Sequence, residues 1–279
     1  MVENIYIRVW GGIGNQLFVY AFARCVSINW LGKVSLETYS GFRGDGYHRT
    51  YKLDRFHITL PKSNFFSSFF FSFNRKYPPL KRFFFPSSRL IIENEDQLIS
   101  NVSEFIPPSN LREKTLFYQG YWQHINFLSI RKVLLSELQF NLPQNLAFRV
   151  IKSRIQASEA ICLHVRRVQY CQCLTPDYYH AAILLIASSC VSPCFFVFSD
   201  DLDWCRWNLR ISYPTCYVDN FEDELYELEL MTLCHHFIIA NSSFSWWGAW
   251  LSQHSDKIVI LPEDYLVRNM NGRVIPIPR

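Results

Sequence analysis

An apolar run, Ile161-Cys162-Leu163, ends abruptly in His164-Val165-Arg166-Arg167. A short uncharged run that follows a charged helical pattern reads as a strand buried on both faces of a parallel sheet. In open α/β sheets, ligands bind beyond the carboxyl ends of the strands. Two arginines leaving such an end are costly to bury without a partner. Guanidinium forks take phosphate oxygens two at a time, so a dianionic phosphate group suits them. Taken alone, the stretch leaves an ordinary surface ion pair equally open.

The rest of the chain repeats the pattern. Strands are expected at 5–10, 34–37, 116–122, 160–165, 194–199, 215–218, 237–240 and 257–261. Helices are expected at 15–31, with Gly32 as C-cap, and at 127–138, 176–188, 202–209, 222–234 and 245–251. Strands alternating with helices of this length mean βαβ units and a parallel sheet. A chain of 279 residues suits one large or two medium domains, and Pro143 with its polar neighbours suits a break, giving 1–145 and 146–279.

Apolar residues make up 49% and charged residues 19%, which excludes a disordered chain. A net charge of +4 is too small to argue for a nucleic-acid partner. The nine cysteines have no regular pairing, as expected of reduced thiols in a cytoplasmic protein. Cys171-Gln172-Cys173 lacks a second pair at zinc spacing. The N-terminal segment runs straight into a strand, so no signal peptide is expected, and no long uncharged apolar run suggests a transmembrane helix. Residues 61–89 hold nine Phe, six Lys or Arg and no acid. That composition fits either peripheral contact with an anionic membrane or a buried helical hairpin broken at Pro78-Pro79.

Polar clusters sit where strands end. Gly11-Gly12-Ile13-Gly14 leads into Asn15-Gln16, the strand–turn–helix layout that faces backbone N–H groups toward an anion. The spacing is not GxGxxG, and a tight turn uses Gly for steric reasons alone. The second half adds His164, Arg166 and Arg167, then Ser199-Asp200-Asp201, then Glu227, then Asn241-Ser242-Ser243-Phe244-Ser245. Each cluster is compatible with simple helix capping. Together, at one sheet edge, they point to a phosphate-bearing ligand. Asp201-Leu202-Asp203 looks like an acidic metal motif, but Asp203 falls inside a helix just before Trp204. No metal is expected; the arginine pair would neutralise the diphosphate instead.

These residues, as GGIGNQLFVYAFAR (11–24), GYWQ (120–123), HVRR (164–167), FSDDLDWCRWNL (198–209), LMTLC (230–234) and IIANSSFSWWGAWL (238–251), resemble the α-1,2-fucosyltransferase family, glycosyltransferase family eleven. The set runs in family order along almost the whole chain; the Phe-rich segment is not covered. The resemblance implies an α/β, GT-B-like fold of two facing Rossmann-like domains with parallel sheets. The acceptor side would be 1–145 and the donor side 146–279. It implies inverting transfer of fucose from GDP-fucose to a galactose 2-hydroxyl on a surface-glycan or lipopolysaccharide oligosaccharide, which would be lipid-linked. No cofactor and no metal are implied beyond the donor. Arg166 matches the arginine that holds the diphosphate, and Asn15 and His164 join it as catalytic candidates. Gly12, Gly14, Gln16, Arg167, Asp200, Asp201, Asn241, Ser242, Ser243 and Phe244 are substrate-contact candidates, with Glu227 at the guanosine end. The general base is open among Asp200, Asp201 and His164.

One departure stands out. The family pattern continues from the arginine pair into Gly-Asp, and here the residues are Val168 and Gln169. Val stiffens a turn that Gly leaves free, and Gln carries no charge to hold an arginine fork. Two alternatives follow: another nucleotide-sugar transferase on the same fold, or a non-catalytic relative that only binds the nucleotide sugar.

Overall fold

A computed structural model describes residues 2–76, 86–94, 101–108, 110–168, 173–219, 221–265 and 270–279. The chain divides into two compact units, Met1–Asn141 and Leu142–Arg279.

Unit 1 is a four-stranded parallel sheet in the order β2-β1-β4-β3. Its strands are β1 (Asn4–Arg8), β2 (Lys33–Glu37), β3 (Ser88–Ile92) and β4 (Thr115–Gln119). Its helices are α1 (Ile13–Asn29), α2 (Phe65–Lys76) and α3 (Arg131–Glu137). α1 is buried almost all round, so its sequence shows little amphipathic period. The expected C-cap at Gly32 is not used. The helix stops at Asn29, and Trp30 turns the chain out in extended conformation (φ −133°, ψ 129°). β3 had no signal of its own: it is a half-exposed edge strand, without the apolar run of its neighbours.

The core of unit 1 is aromatic. Phe22 stacks on Trp122 at 4.1 Å, with the Phe105 ring edge-on at 4.9 Å to Trp122. α2 joins this unit through Phe70 and Phe71, which pack on Phe117 of β4. The proposed hairpin break at Pro78-Pro79 lies outside the described residues. A buried polar knot ties α1 to α3. The Glu137 carboxylate accepts from the Tyr20 hydroxyl at 2.5 Å, the Arg24 Nε at 2.8 Å and the Thr59 hydroxyl at 3.0 Å.

Unit 2 comprises α4 (Leu146–Gln156), β5 (Glu159–Val165), α5 (Pro176–Ala187), β6 (Pro193–Ser199), α6 (Leu202–Asn208), β7 (Thr215–Tyr217), α7 (Glu224–Thr232), β8 (His236–Ile238), α8 (Ser243–Leu251), β9 (Ile258–Pro262) and β10 (Arg273–Ile277). The sheet order is β7-β6-β5-β8-β9-β10, all parallel. This is the doubly wound order, and it reverses between β5 and β8. The central strands are continuous apolar runs because helices cover both faces. β10 escaped the sequence pattern: it is an edge strand that carries Pro276, as edges tolerate.

The Glu137 knot yields a stability test. Removing one partner of a largely buried pair leaves the other charge uncompensated, at about 3–5 kcal/mol. Glu137→Ala is expected to lose about 3 kcal/mol in urea unfolding of unit 1. An unchanged midpoint would show that Arg24 finds compensation elsewhere.

Candidate active site

The register aligns three strand ends of unit 2. His164 pairs with Phe198 and Val165 with Ser199 across β5 and β6, and Leu163 pairs with Ile238 of β8. The residues after each strand therefore gather at the carboxyl edge, around the point where the strand order reverses. There the Asp200 carboxylate receives three donors. One oxygen accepts the Arg167 N–H at 2.8 Å, and the other accepts the Val168 N–H at 3.0 Å. The second oxygen also lies 3.1 Å from the Arg166 Nε. Asp200, expected as a substrate contact, here braces the turn after β5 and holds Arg166 by its inner edge. Val168 supplies one of the braced N–H groups itself; Gln169 lies outside the described residues.

Arg167 points elsewhere. Its guanidinium lies 3.9 Å from the Trp204 ring centroid, and its Nε is 3.9 Å from Asp201. Asp201 caps α6 by accepting the Trp204 N–H at 3.0 Å, while its own N–H donates to the Ser199 hydroxyl at 2.9 Å. Asp203 turns outward and pairs with Arg206 at 2.9 Å. The two carboxylates of the acidic motif thus have separate partners. Trp204 was not among the sequence candidates for the site, because a Trp in the first turn of a helix looks like core packing alone.

His164 is 3% exposed and packs on Phe244, ring centroids 5.7 Å apart. Burial first, and the Arg166 charge second, push its pKa down to about 3. It is therefore neutral at pH 7 and a weak base, which argues against a general-base role. Glu227 on α7 goes the other way. Burial raises its pKa to about 7, Glu224 and Asp200 add to the rise, and Arg166 opposes it. Asn241 to Phe244 form the turn into α8: Ser242 caps the helix, its hydroxyl accepting the Phe244 N–H at 3.3 Å. The buried Trp246, Trp247 and Trp250 fix that helix in the core.

The N-terminal candidates belong to unit 1, at the point where its strand order reverses between β1 and β4. Gly11 has φ +79°, and a Cβ there would stand 3.1 Å from the Asn15 amide and 3.2 Å from the Tyr121 ring. Gly is required on both counts. Gly12 caps α1 without a side-chain bond. Asn15 accepts the Gln123 amide at 2.9 Å, linking the turns after β1 and β4. Gln16 and Gly14 are buried. The Gln16 amide donates to the Gly11 and Thr50 carbonyls at 3.0 and 2.8 Å, and its carbonyl accepts the Lys52 N–H at 3.0 Å. It braces the turn from within.

At the opposite end of the unit 2 sheet, Glu159, Cys190 and His236 bring ligand-type atoms within 4.8 Å of one another. The His236 Nδ1 already accepts the Ile258 N–H at 3.0 Å, so the neutral ring carries its proton on Nε2. Glu159 accepts the Ser192 N–H at 2.6 Å. The group reads as a hydrogen-bonded knot, not a metal centre.

Comparison with known proteins adds a lineage to this geometry. Residues 79–268 match the family model described as Glycosyl transferase family 11. The chain is 28% identical to an alpha-1,2-colitosyltransferase of Escherichia coli, over 98% of this chain and 96% of that one. It is 30% identical to the O-antigen biosynthesis glycosyltransferase WbnK of Escherichia coli, over 97% of each. Among solved structures, fucosyltransferase NodZ from Bradyrhizobium superposes with a TM-score of 0.56 at 11% identity, covering 90% of this chain and 93% of that one. Arabidopsis thaliana FUT1 in complex with GDP gives 0.54 at 10% identity, covering 95% and 72%. The structural likeness establishes a GT-B type of fold, as the sequence motifs implied.

The raised Glu227 carboxyl has a pH signature. The folded chain keeps this proton up to about pH 7, whereas an unfolded Glu releases it near the ordinary 4.5. Between those values the native state binds more protons, so this group lowers stability as pH rises through the window, and above it the loss is complete and constant. Thermal melts at pH 5 and pH 8 are expected to show a larger fall in Tm for wild type than for Glu227→Gln. Equal falls would mean the carboxyl is already ionised in the native state.

Proposed function

The chain belongs to glycosyl transferase family 11, and on that premise we propose that it is an inverting, metal-independent transferase that moves fucose from GDP-fucose to a galactose 2-hydroxyl. One observation supports this most: Arg166 stands at the switch point of unit 2, its Nε edge held by Asp200, after the strand that pairs with β8, which leads into the N-terminal turn of α8. A fork held by one edge presents its terminal nitrogens to an anion, and a helix N-terminus favours the same charge.

In the reaction the acceptor hydroxyl attacks the anomeric carbon opposite the departing GDP. Negative charge grows on the β-phosphate as the bond to fucose breaks. Arg166 stabilises that charge, the term that usually dominates such catalysis. The Ser242–Phe244 turn receives the phosphates with Arg166, and Glu227 takes the guanosine end. Asp200 and Asp201 are engaged by backbone N–H groups, and a loose, oxocarbenium-like path asks little of a base. The acceptor is proposed to be a galactose-terminated oligosaccharide of a surface glycan, lipid-linked, and the reaction cytoplasmic.

A second reading has its own support. The relative at 28% identity is a colitosyltransferase, so colitose in place of fucose is the leading alternative donor sugar.

Both readings meet one experiment. The chain, in excess EDTA, is given labelled GDP-fucose or GDP-colitose with a panel of galactosides, and the product linkage is read by NMR. Transfer from GDP-fucose to O2 of galactose is expected. Preference for GDP-colitose selects the second reading; loss of activity restored by manganese overturns the metal-free mechanism; nucleotide binding without transfer favours the non-catalytic relative. Arg166→Lys keeps charge but loses the planar fork, and is expected to fold normally yet lose roughly 10²–10³ in kcat/KM. Arg167→Lys is expected to lose less, because that guanidinium is stacked on Trp204. The reverse order would transfer the phosphate role to Arg167.

A further inference from the structure

In unit 2 the sequence candidates for a general base are engaged elsewhere. Asp200 has both carboxylate oxygens in use, Asp201 caps α6 with one and faces Arg167 with the other, and the buried His164 is a weak base. In unit 1 two glutamates stand at the carboxyl ends of strands. Glu37 closes β2 and is 0% exposed. It gives both oxygens away, to the Tyr39 and Ser40 N–H groups and to the Ser40 and Ser68 hydroxyls. Glu93 follows β3 and is half-buried. Its N–H donates to the Gln119 carbonyl at 2.9 Å, which fixes its backbone to the end of β4. Its carboxylate spends one oxygen only: Oε2 accepts the Tyr121 N–H at 2.6 Å and the Trp122 N–H at 2.9 Å. Among the described residues nothing pairs with Oε1.

The turn after β4 is shaped around this carboxylate. A Cβ at Gly120 would stand 2.4 Å from the Glu93 Cβ and 2.6 Å from Oε2, so glycine is what leaves the room. Trp122 is held at φ +59°, a conformation that bulky side chains rarely adopt, and its N–H is one of the two that Glu93 binds. The same turn is tied to the glycine turn after β1. The Trp10 ring stacks on Tyr121 at 4.2 Å, its Nε1 donates to the Gly120 carbonyl at 3.2 Å, and Gln123 donates to Asn15 at 2.9 Å. Glu93 is thus a fixed carboxylate at the carboxyl edge of the unit 1 sheet, one strand away from the reversal between β1 and β4. Ligands of open α/β sheets bind at such an edge.

We propose that Glu93 is the general base, taking the acceptor's proton on Oε1. The inference rests on the transferase reading above, with unit 1 as the acceptor side. The acceptor oxygen forms its bond to the anomeric carbon. The bond from that carbon to the β-phosphate oxygen breaks, its electron pair leaving with GDP. The hydroxyl proton passes to Glu93 and from there to water. A positioned carboxylate is a usual base for such a step.

Glu93→Gln separates this role from simple bracing. The amide keeps an oxygen for the Tyr121 and Trp122 N–H groups and loses the capacity to take a proton. Circular dichroism and thermal melts are expected to match wild type, and KM for the sugar nucleotide to stay within about twofold. A loose path asks little of its base, so kcat for transfer to a galactoside is expected to fall by about 10², the low end for general-base catalysis. Azide is the control nucleophile, since it attacks as an anion with no proton to lose. With azide in place of the galactoside, both proteins are expected to release GDP from the donor at similar rates. Near-wild-type kcat in Glu93→Gln, the result that bracing alone would give, overturns the proposal. So does an equal loss with azide and with the galactoside. A wild type that transfers sugar from neither GDP-fucose nor GDP-colitose overturns the transferase reading, and this inference with it.

Discussion

A single carboxylate organises the active-site edge. Asp200 takes the N–H groups of Arg167 and Val168 and the Nε of Arg166. It thereby locks the turn after β5 to the end of β6, next to the point where the sheet reverses. A carboxylate holding backbone N–H groups and a guanidinium is a strong, charge-assisted arrangement. Its charge also reaches the neighbours. Asp200 helps keep the Glu227 proton on, and Arg166 helps keep His164 neutral. Burial sets the direction of both shifts, and this ion pair adds to it.

The same brace bears on the departure at Val168 and Gln169. The family pattern puts Gly-Asp after the arginines, and its absence suggested a loosely held fork. In the folded chain the acid that holds the turn comes from β6, more than thirty residues away in sequence. No local reading of 164–170 exposes such a partner. The two arginines also look equivalent in sequence and are not in space, because only Arg167 has a tryptophan beneath it.

What the sequence disclosed, and what it hid, follows from burial. The strands of unit 2 were legible because both faces are covered, leaving uninterrupted apolar runs. β3 and β10 were not, because edge strands are half exposed and need no such run. The polar clusters that follow β5 and β6 gather at one edge of the unit 2 sheet. They did not reveal which members turn inward: Gln16 and His164 are as polar as Asn15 and Arg166, yet both are buried. The Phe-rich stretch read as core or as membrane surface, and in the fold α2 buries Phe70 and Phe71 and leaves Phe65 exposed.

The central claim is that Asp200 aims Arg166 at the β-phosphate of the donor. It is tested most directly by calorimetry with GDP and GMP, which differ by that phosphate alone. The wild type should prefer GDP, and Asp200→Asn should shrink the GDP-to-GMP affinity ratio about tenfold while leaving GMP binding nearly unchanged. If the ratio survives in Asp200→Asn, the fork is aimed by something other than this carboxylate, and the account is wrong at its base.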